Sequence, residues 1–260
     1  MEDSNALSKI KIFRGSEIKS ESSKSRWLIH SLLPASSCVF LLAEPKVGKS
    51  FAALEMALSV VSGNKCFQQN QVMQIGPVAI FSAEDAPWII AERLEGIARS
   101  KGCSNFDLEN LHIIDRSNGI FLDEEESFAR LRSALLEIGP KLVILDPLAQ
   151  ILCKTQESNA RQMADVLRKV RNLQTELDCT ILITHHVRKD GKGSINARTR
   201  GSSLIASFWD GCLLMEKSFN GIVRIESSWK GFPTSPESFI KLQNHNGGYG
   251  PIGIGIEEGA

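Results

Sequence analysis

The chain has 260 residues, enough for one large domain at roughly 100–200 residues per domain. Hydrophobic residues make up 42% and charged residues 23%, which excludes a mostly disordered chain. Lys plus Arg total 30 and Asp plus Glu total 30, which excludes a uniformly basic coat for indiscriminate nucleic-acid binding and leaves only local basic patches.

Residues 1–26 are polar and serine-rich with no sustained hydrophobic period, and predict a flexible N-terminal arm. Packing begins at Trp27-Leu28-Ile29. Val39 to Leu42 is a short apolar run and predicts a buried strand. Lys49 to Ser62 carries Leu54, Ala57, Leu58 and Val61 at helical spacing, with Gly63 as a stop. Pro77 to Phe81 predicts a strand, and Pro87 to Ser100 a helix with Pro87 in its first turn. Strands at Leu111–Ile114, Leu142–Leu145 and Thr180–Ile183 alternate with helices at Glu124–Ile138 and Ser158–Leu177. Cys212–Glu216 and Ile222–Ser227 flank Phe219-Asn220-Gly221, and Asn-Gly signals a hairpin. The fold class is therefore α/β: a mostly parallel sheet flanked by helices, ending in antiparallel strands. One domain over 27–245 is expected, followed by a glycine-rich tail over 246–260.

No stretch reaches the roughly 18 uninterrupted apolar residues of a membrane helix. The opening Met-Glu-Asp precedes no apolar signal core. The six cysteines form no C-x-x-C pair and mostly lie beside apolar runs. These features predict a cytoplasmic protein with reduced thiols, no zinc site and no membrane partner.

The sharpest motif is Ala43-Glu44-Pro45-Lys46-Val47-Gly48-Lys49-Ser50, placed between a predicted strand and a predicted helix. That is the context of a phosphate-binding loop. Backbone N–H groups of such a turn point at phosphate oxygens, and the helix N-terminus adds a favourable dipole. Glu44 to Ser50 are thus nucleotide-binding candidates. Lys49 would reach the β- and γ-phosphates of ATP, and the Ser50 hydroxyl would ligate Mg²⁺. Ala43 replaces the usual first glycine, which is harmless if its φ is negative.

Asp146 ends an apolar strand and is a candidate for holding the water around Mg²⁺; a turn-starting aspartate before Pro147 is the plainer reading. Glu84 and Asp85 follow the strand ending at Phe81, whose end is expected beside that of the loop strand. Glu84 is the candidate for activating the attacking water, with Asp85 as alternative. Asp85 could equally cap the helix that follows. His185 and His186 end a strand, and adjacent strand residues point oppositely, so one of them is expected to sense the γ-phosphate.

Taken together, Glu44–Ser50, Ser82–Asp85, Leu145–Leu148, Thr184–His186 and Arg200–Ser203 resemble the RecA/DnaB-type ATPases. The likeness is greatest to plasmid RepA-type hexameric helicases and their relatives. The resemblance covers about residues 27–245. It implies a RecA-like core, a ring or filament with ATP between protomers, and a catalytic carboxylate at Glu84. It also implies a cation reaching the neighbour's γ-phosphate, with Arg200 and Lys230 as candidates.

Val187 to Arg200 carries Arg188, Lys189, Lys192, Arg198 and Arg200 against Asp190 alone. Such a loop in a neutral protein is a local electrostatic site. In RecA- and DnaB-like proteins the corresponding loop grips single-stranded DNA, so these residues are DNA-binding candidates, although the loop lacks an aromatic for stacking. Three functions remain open: a DNA motor of a plasmid, phage or mobile element, a recombinase-like switch, and a KaiC-like regulatory ATPase that does not act on DNA.

Overall fold

Cys38–Ala43 forms a strand buried along its whole length, and its alternate side chains feed two separate cores. Val39, Leu41 and Ala43 face one core, and Cys38, Phe40 and Leu42 the other. The computed structural model describes residues 14–15, 26–102, 108–157, 159–187, 208–231, 235–246 and 248–253. Most of the expected arm and of the basic loop thus lies outside the described residues.

In chain order the strands before the loop motif are β1 (Trp27–Ile29), β2 (Leu33–Pro34) and β3 (Cys38–Ala43). Then come α1 (Lys49–Ser62), β4 (Val78–Ser82), α2 (Pro87–Ser100) and β5 (Leu111–Asp115). They are followed by α3 (Glu125–Ile138), β6 (Leu142–Asp146), α4 (Ala160–Leu177) and β7 (Thr180–His186). The chain closes with β8 (Gly211–Lys217), β9 (Ile222–Trp229), β10 (Ser238–His245) and β11 (Gly248–Gly253).

β1 and β2 pair with each other, and the remaining strands form a nine-stranded sheet in the order β11-β10-β9-β8-β3-β7-β6-β4-β5. The strands from β5 to β8 are parallel, and β8 to β11 pair antiparallel. Helices α1 and α2 cover one face, with Leu58, Ile90, Leu94 and Ile97 in its core. Helices α3 and α4 cover the other. On α4 the buried set Met163, Val166, Leu167, Val170 and Leu173 recurs at helical spacing. The Asn159 side chain caps α4 by accepting from Gln162 N at 3.2 Å. The expected hairpin is present, with Asn220 (φ 55) and Gly221 (φ 74) in the left-handed region.

Two expectations need correction. Gly248–Gly253, read as part of a tail, is the edge strand β11. Its glycines, which look like loop formers, let it lie against α2: a Cβ on Gly248 would meet Gly96 O at 2.1 Å. The second correction concerns β4, expected beside β3. The order interposes β7 and β6 between β3 and β4, so the ends of β3 and β4 are roughly 14 Å apart at about 4.8 Å per strand. The turn after β4 must therefore carry its carboxylates back toward β3.

Candidate nucleotide site

The loop after β3 turns on two left-handed residues, Lys46 (φ 64) and Gly48 (φ 101). Ala43 stays in the strand and has no positive φ, so the missing first glycine carries no strain. Gly48 is the N-cap of α1 and brings no side-chain cap, so the first N–H groups of α1 are left for a ligand. A side chain at Gly48 would be strained by its φ, and its Cβ would sit 2.5 Å from Leu242 Cδ1. Leu242 belongs to β10, so the C-terminal hairpin roofs this loop.

In front of the loop lies a cavity of about 470 Å³, a size suited to a small-molecule ligand. Lys49, Ser50, Glu84, Asp146 and His186 all line it, together with Glu44, Pro45, Lys46 and Gly48. A second cavity, of about 620 Å³, lies by His30, Lys65 and Ser238. None of the sequence-predicted residues lines that one. Val47, the remaining loop candidate, is buried instead in the core beside α1.

Lys49 is only 6% exposed. Burial pulls its ammonium down to about 8, against the opposing pull of Asp146 and Glu84. Its Nζ lies 3.2 Å from His186 Nδ1. Asp146 is held by the Thr184 hydroxyl, which donates to its Oδ1. The hydroxyl of Ser50 and the carboxylate of Asp146 are hard oxygen donors of the type Mg²⁺ takes. Among the described residues no group of three or more His, Cys, Asp or Glu forms a metal cage.

Glu84 is exposed at the cavity mouth, and its carboxylate has no hydrogen-bond partner among the described residues. Its turn is well anchored. Ala83 N donates to Asp146 O at 2.9 Å, Arg116 donates to Glu84 O at 3.2 Å, and Ser82 Oγ donates to Asp85 O at 3.3 Å. Asp85 does not cap α2: the N-cap is Ala86, without a side-chain bond. Instead both Asp85 oxygens accept from Arg93.

The two histidines diverge, as strand alternation requires. His186 meets Lys49, and the half-buried His185 faces Glu157, with Nδ1 3.6 Å from Oε1. Burial, aided by the charge of Lys49, pushes His185 down to about 4, so it stays neutral near pH 7.

Lys230 does not join this cavity within the chain. Its N–H donates to Asp210 O, and Asp210 N donates to Cys38 O, which places it at the start of β3. The loop leaves the other end of β3, about 17 Å away at 3.3 Å per residue. Arg188, Lys189, Lys192, Arg198 and Arg200 lie outside the described residues. Sequence reading missed Arg93 and Leu242, and quoted Thr184 in a motif without giving it a role. Thr184 could have been singled out as the polar residue inside an apolar strand; Leu242 carried no signal.

Residues 6–192 match a family of AAA domains. The chain belongs to the AAA domain family. The match takes in the loop at 43–50, Glu84, Asp146 and both histidines, while Lys230 and Leu242 lie past it. Among solved structures, one described as an ATPase domain superposes on this AAA domain with a TM-score of 0.64. The alignment covers 92% of this chain and 95% of that one at 14% identity, so the likeness is one of fold. It agrees with a RecA-like P-loop core that ends in antiparallel strands.

Proposed function

We propose that this chain is an ATP-hydrolysing enzyme that works as an oligomer on single-stranded DNA, in the manner of a helicase or replication protein of a plasmid, phage or mobile element. The observation that carries the reading is the meeting of Lys49, Ser50, Asp146, Glu84 and His186, drawn from four strand ends, in one cavity.

The α1 N-terminus and Lys49 hold the phosphates of ATP. Ser50 and Asp146 would hold Mg²⁺, which would supply screening of the phosphate charge. Thr184 keeps the Asp146 carboxylate oriented. Glu84 accepts the proton of the attacking water. His186, beside Lys49, reads the γ-phosphate and passes its presence to the residues after β7. Lys230 stands at the far end of β3 and does not reach the γ-phosphate held by its own chain. A head-to-tail ring, hexameric by the resemblance, puts Lys230 or Arg200 of one protomer against the ATP of the next. Among the described residues no helix is long and apolar enough to cross a membrane. The proposed role on DNA puts the protein in the cytoplasm.

The description of the fold neighbour as an ATPase domain supports hydrolysis. The basic segment 188–200 supports a polynucleotide as partner. The experiment is ATP turnover measured with and without single-stranded DNA. Stimulation supports the DNA-linked readings, and strand displacement on a forked duplex then separates a motor from a recombinase-like switch. Turnover indifferent to DNA favours the regulatory ATPase.

A further inference from the structure

The turn between β4 and α2 carries two adjacent carboxylates, and they are held differently. The backbone of this turn is tied at Ala83, Glu84 and Asp85. The Asp85 carboxylate is taken up by the two-pronged guanidinium of Arg93, eight residues on and two helical turns into α2. The same guanidinium lies over the ring of Phe51, 5.2 Å from its centroid. Phe51 directly follows Ser50 in the first turn of α1, and its ring also meets Tyr249 of β11 edge-on at 5.5 Å.

One arginine therefore joins the turn after β4 to the first turn of α1. Without that link the two are carried by strands about 14 Å apart. Further along, the buried pair of Lys101 and Glu55, 2.5 Å apart, ties the end of α2 to α1. That second contact fixes the helices in register but does not reach the cavity. Arg93 does line the cavity, beside Glu84 and Asp85.

We infer that Arg93 is a positioning residue for hydrolysis: by clamping Asp85 and Phe51 it sets where the Glu84 carboxylate stands relative to the phosphates. The inference rests on Glu84 as the water-activating group. Arg93 also pairs with Asp85, so that of the two carboxylates of the turn that line the cavity Asp85 is engaged and Glu84 is left to meet the water.

The test measures kcat, KM for Mg-ATP and thermal midpoint in the full chain. Arg93→Gln lowers kcat about ten- to hundredfold, the scale of a misplacement near 1 Å, and leaves KM close to the parent. Asp85→Asn gives a similar fall, and the double variant falls no further than either alone, because both break one clamp. Arg93→Lys keeps the charge without the fork and recovers only part of the loss. In a Glu84→Gln background, Arg93→Gln causes no additional fall. The thermal midpoint separates these effects from unfolding. A raised KM with kcat intact would show that Arg93 touches the nucleotide itself, and would overturn the positioning role. Additive losses at Asp85 and Arg93 would overturn it as well. If Glu84→Gln abolishes turnover and Arg93→Gln does not, the inference fails while the base assignment stands. If turnover survives Glu84→Gln, the base assignment fails and takes the inference with it.

Discussion

The Nζ of Lys49 and the Nδ1 of His186 lie 3.2 Å apart in a pocket that leaves the lysine 6% exposed. That contact ties the end of β7 to the phosphate loop. The same burial explains why the ammonium is held near 8, since it disfavours the charged form. A phosphate entering the cavity supplies the negative charge that favours this ammonium.

Between about pH 8 and the ordinary lysine range near 10.5, Lys49 is therefore neutral in the free protein. Phosphate binding raises its pKa again, so ATP binding in this window takes up a proton. Affinity falls as pH rises through 8. Calorimetry of ATP binding at pH 9 in two buffers of different ionisation enthalpy reads the uptake directly. Lys49→Ala removes both the uptake and tight binding; unchanged affinity in that variant would refute the loop assignment.

Replacing Glu84 by Gln keeps ATP binding and cuts hydrolysis about a hundredfold or more, the scale of losing a general base. The variant accumulates as an ATP-bound assembly, visible by gel filtration with ATP present. A larger defect from Asp85→Asn than from Glu84→Gln would move the base by one residue.

The basic segment 188–200 gives a salt-dependent prediction. If it holds DNA as proposed, neutralising Arg188, Lys189 and Lys192 together removes three phosphate contacts. At ~0.7 per contact on single strands, the log–log slope of DNA affinity against salt falls by about two. Basal turnover without DNA persists in the same variant. An unaltered slope would place the DNA path elsewhere.

Lys230 and Arg200 are separated by complementation. Lys230 stands at the opposite end of β3 from the cavity, so it can serve ATP only on a neighbouring copy. Mixing Glu84→Gln with Lys230→Ala forms some interfaces with both residues intact, and those hydrolyse ATP although neither variant alone does. The same mixture with Arg200→Ala shows which cation acts across the interface. A mixture that co-assembles and stays inactive rules out the cation tested.

Much of this is legible in the sequence because it is local. Apolar runs flanked by helical spacing mark β3 to β7, and the loop motif and strand-end carboxylates fall at their ends. Which strands become neighbours is a long-range matter, and β3 and β4, expected side by side, have two strands between them. The pairing of Asp85 with Arg93 replaces a local capping rule with a contact two turns away. Leu242 reaches Gly48 across nearly the whole chain, and nothing local in β10 announces it. β11 is hidden because the glycines that allow its close approach to α2 read as loop residues. That His186 lines the cavity while His185 faces Glu157 is likewise seen only in the fold.

The most direct measurement is steady-state ATP hydrolysis by the full chain with Mg²⁺, with and without single-stranded DNA, beside Glu84→Gln under the same conditions. Turnover is expected to rise more than linearly with protein concentration, to increase further with DNA, and to be lost in the variant. Turnover that is constant per chain down to monomer concentrations, indifferent to DNA and intact in Glu84→Gln would contradict the proposed function.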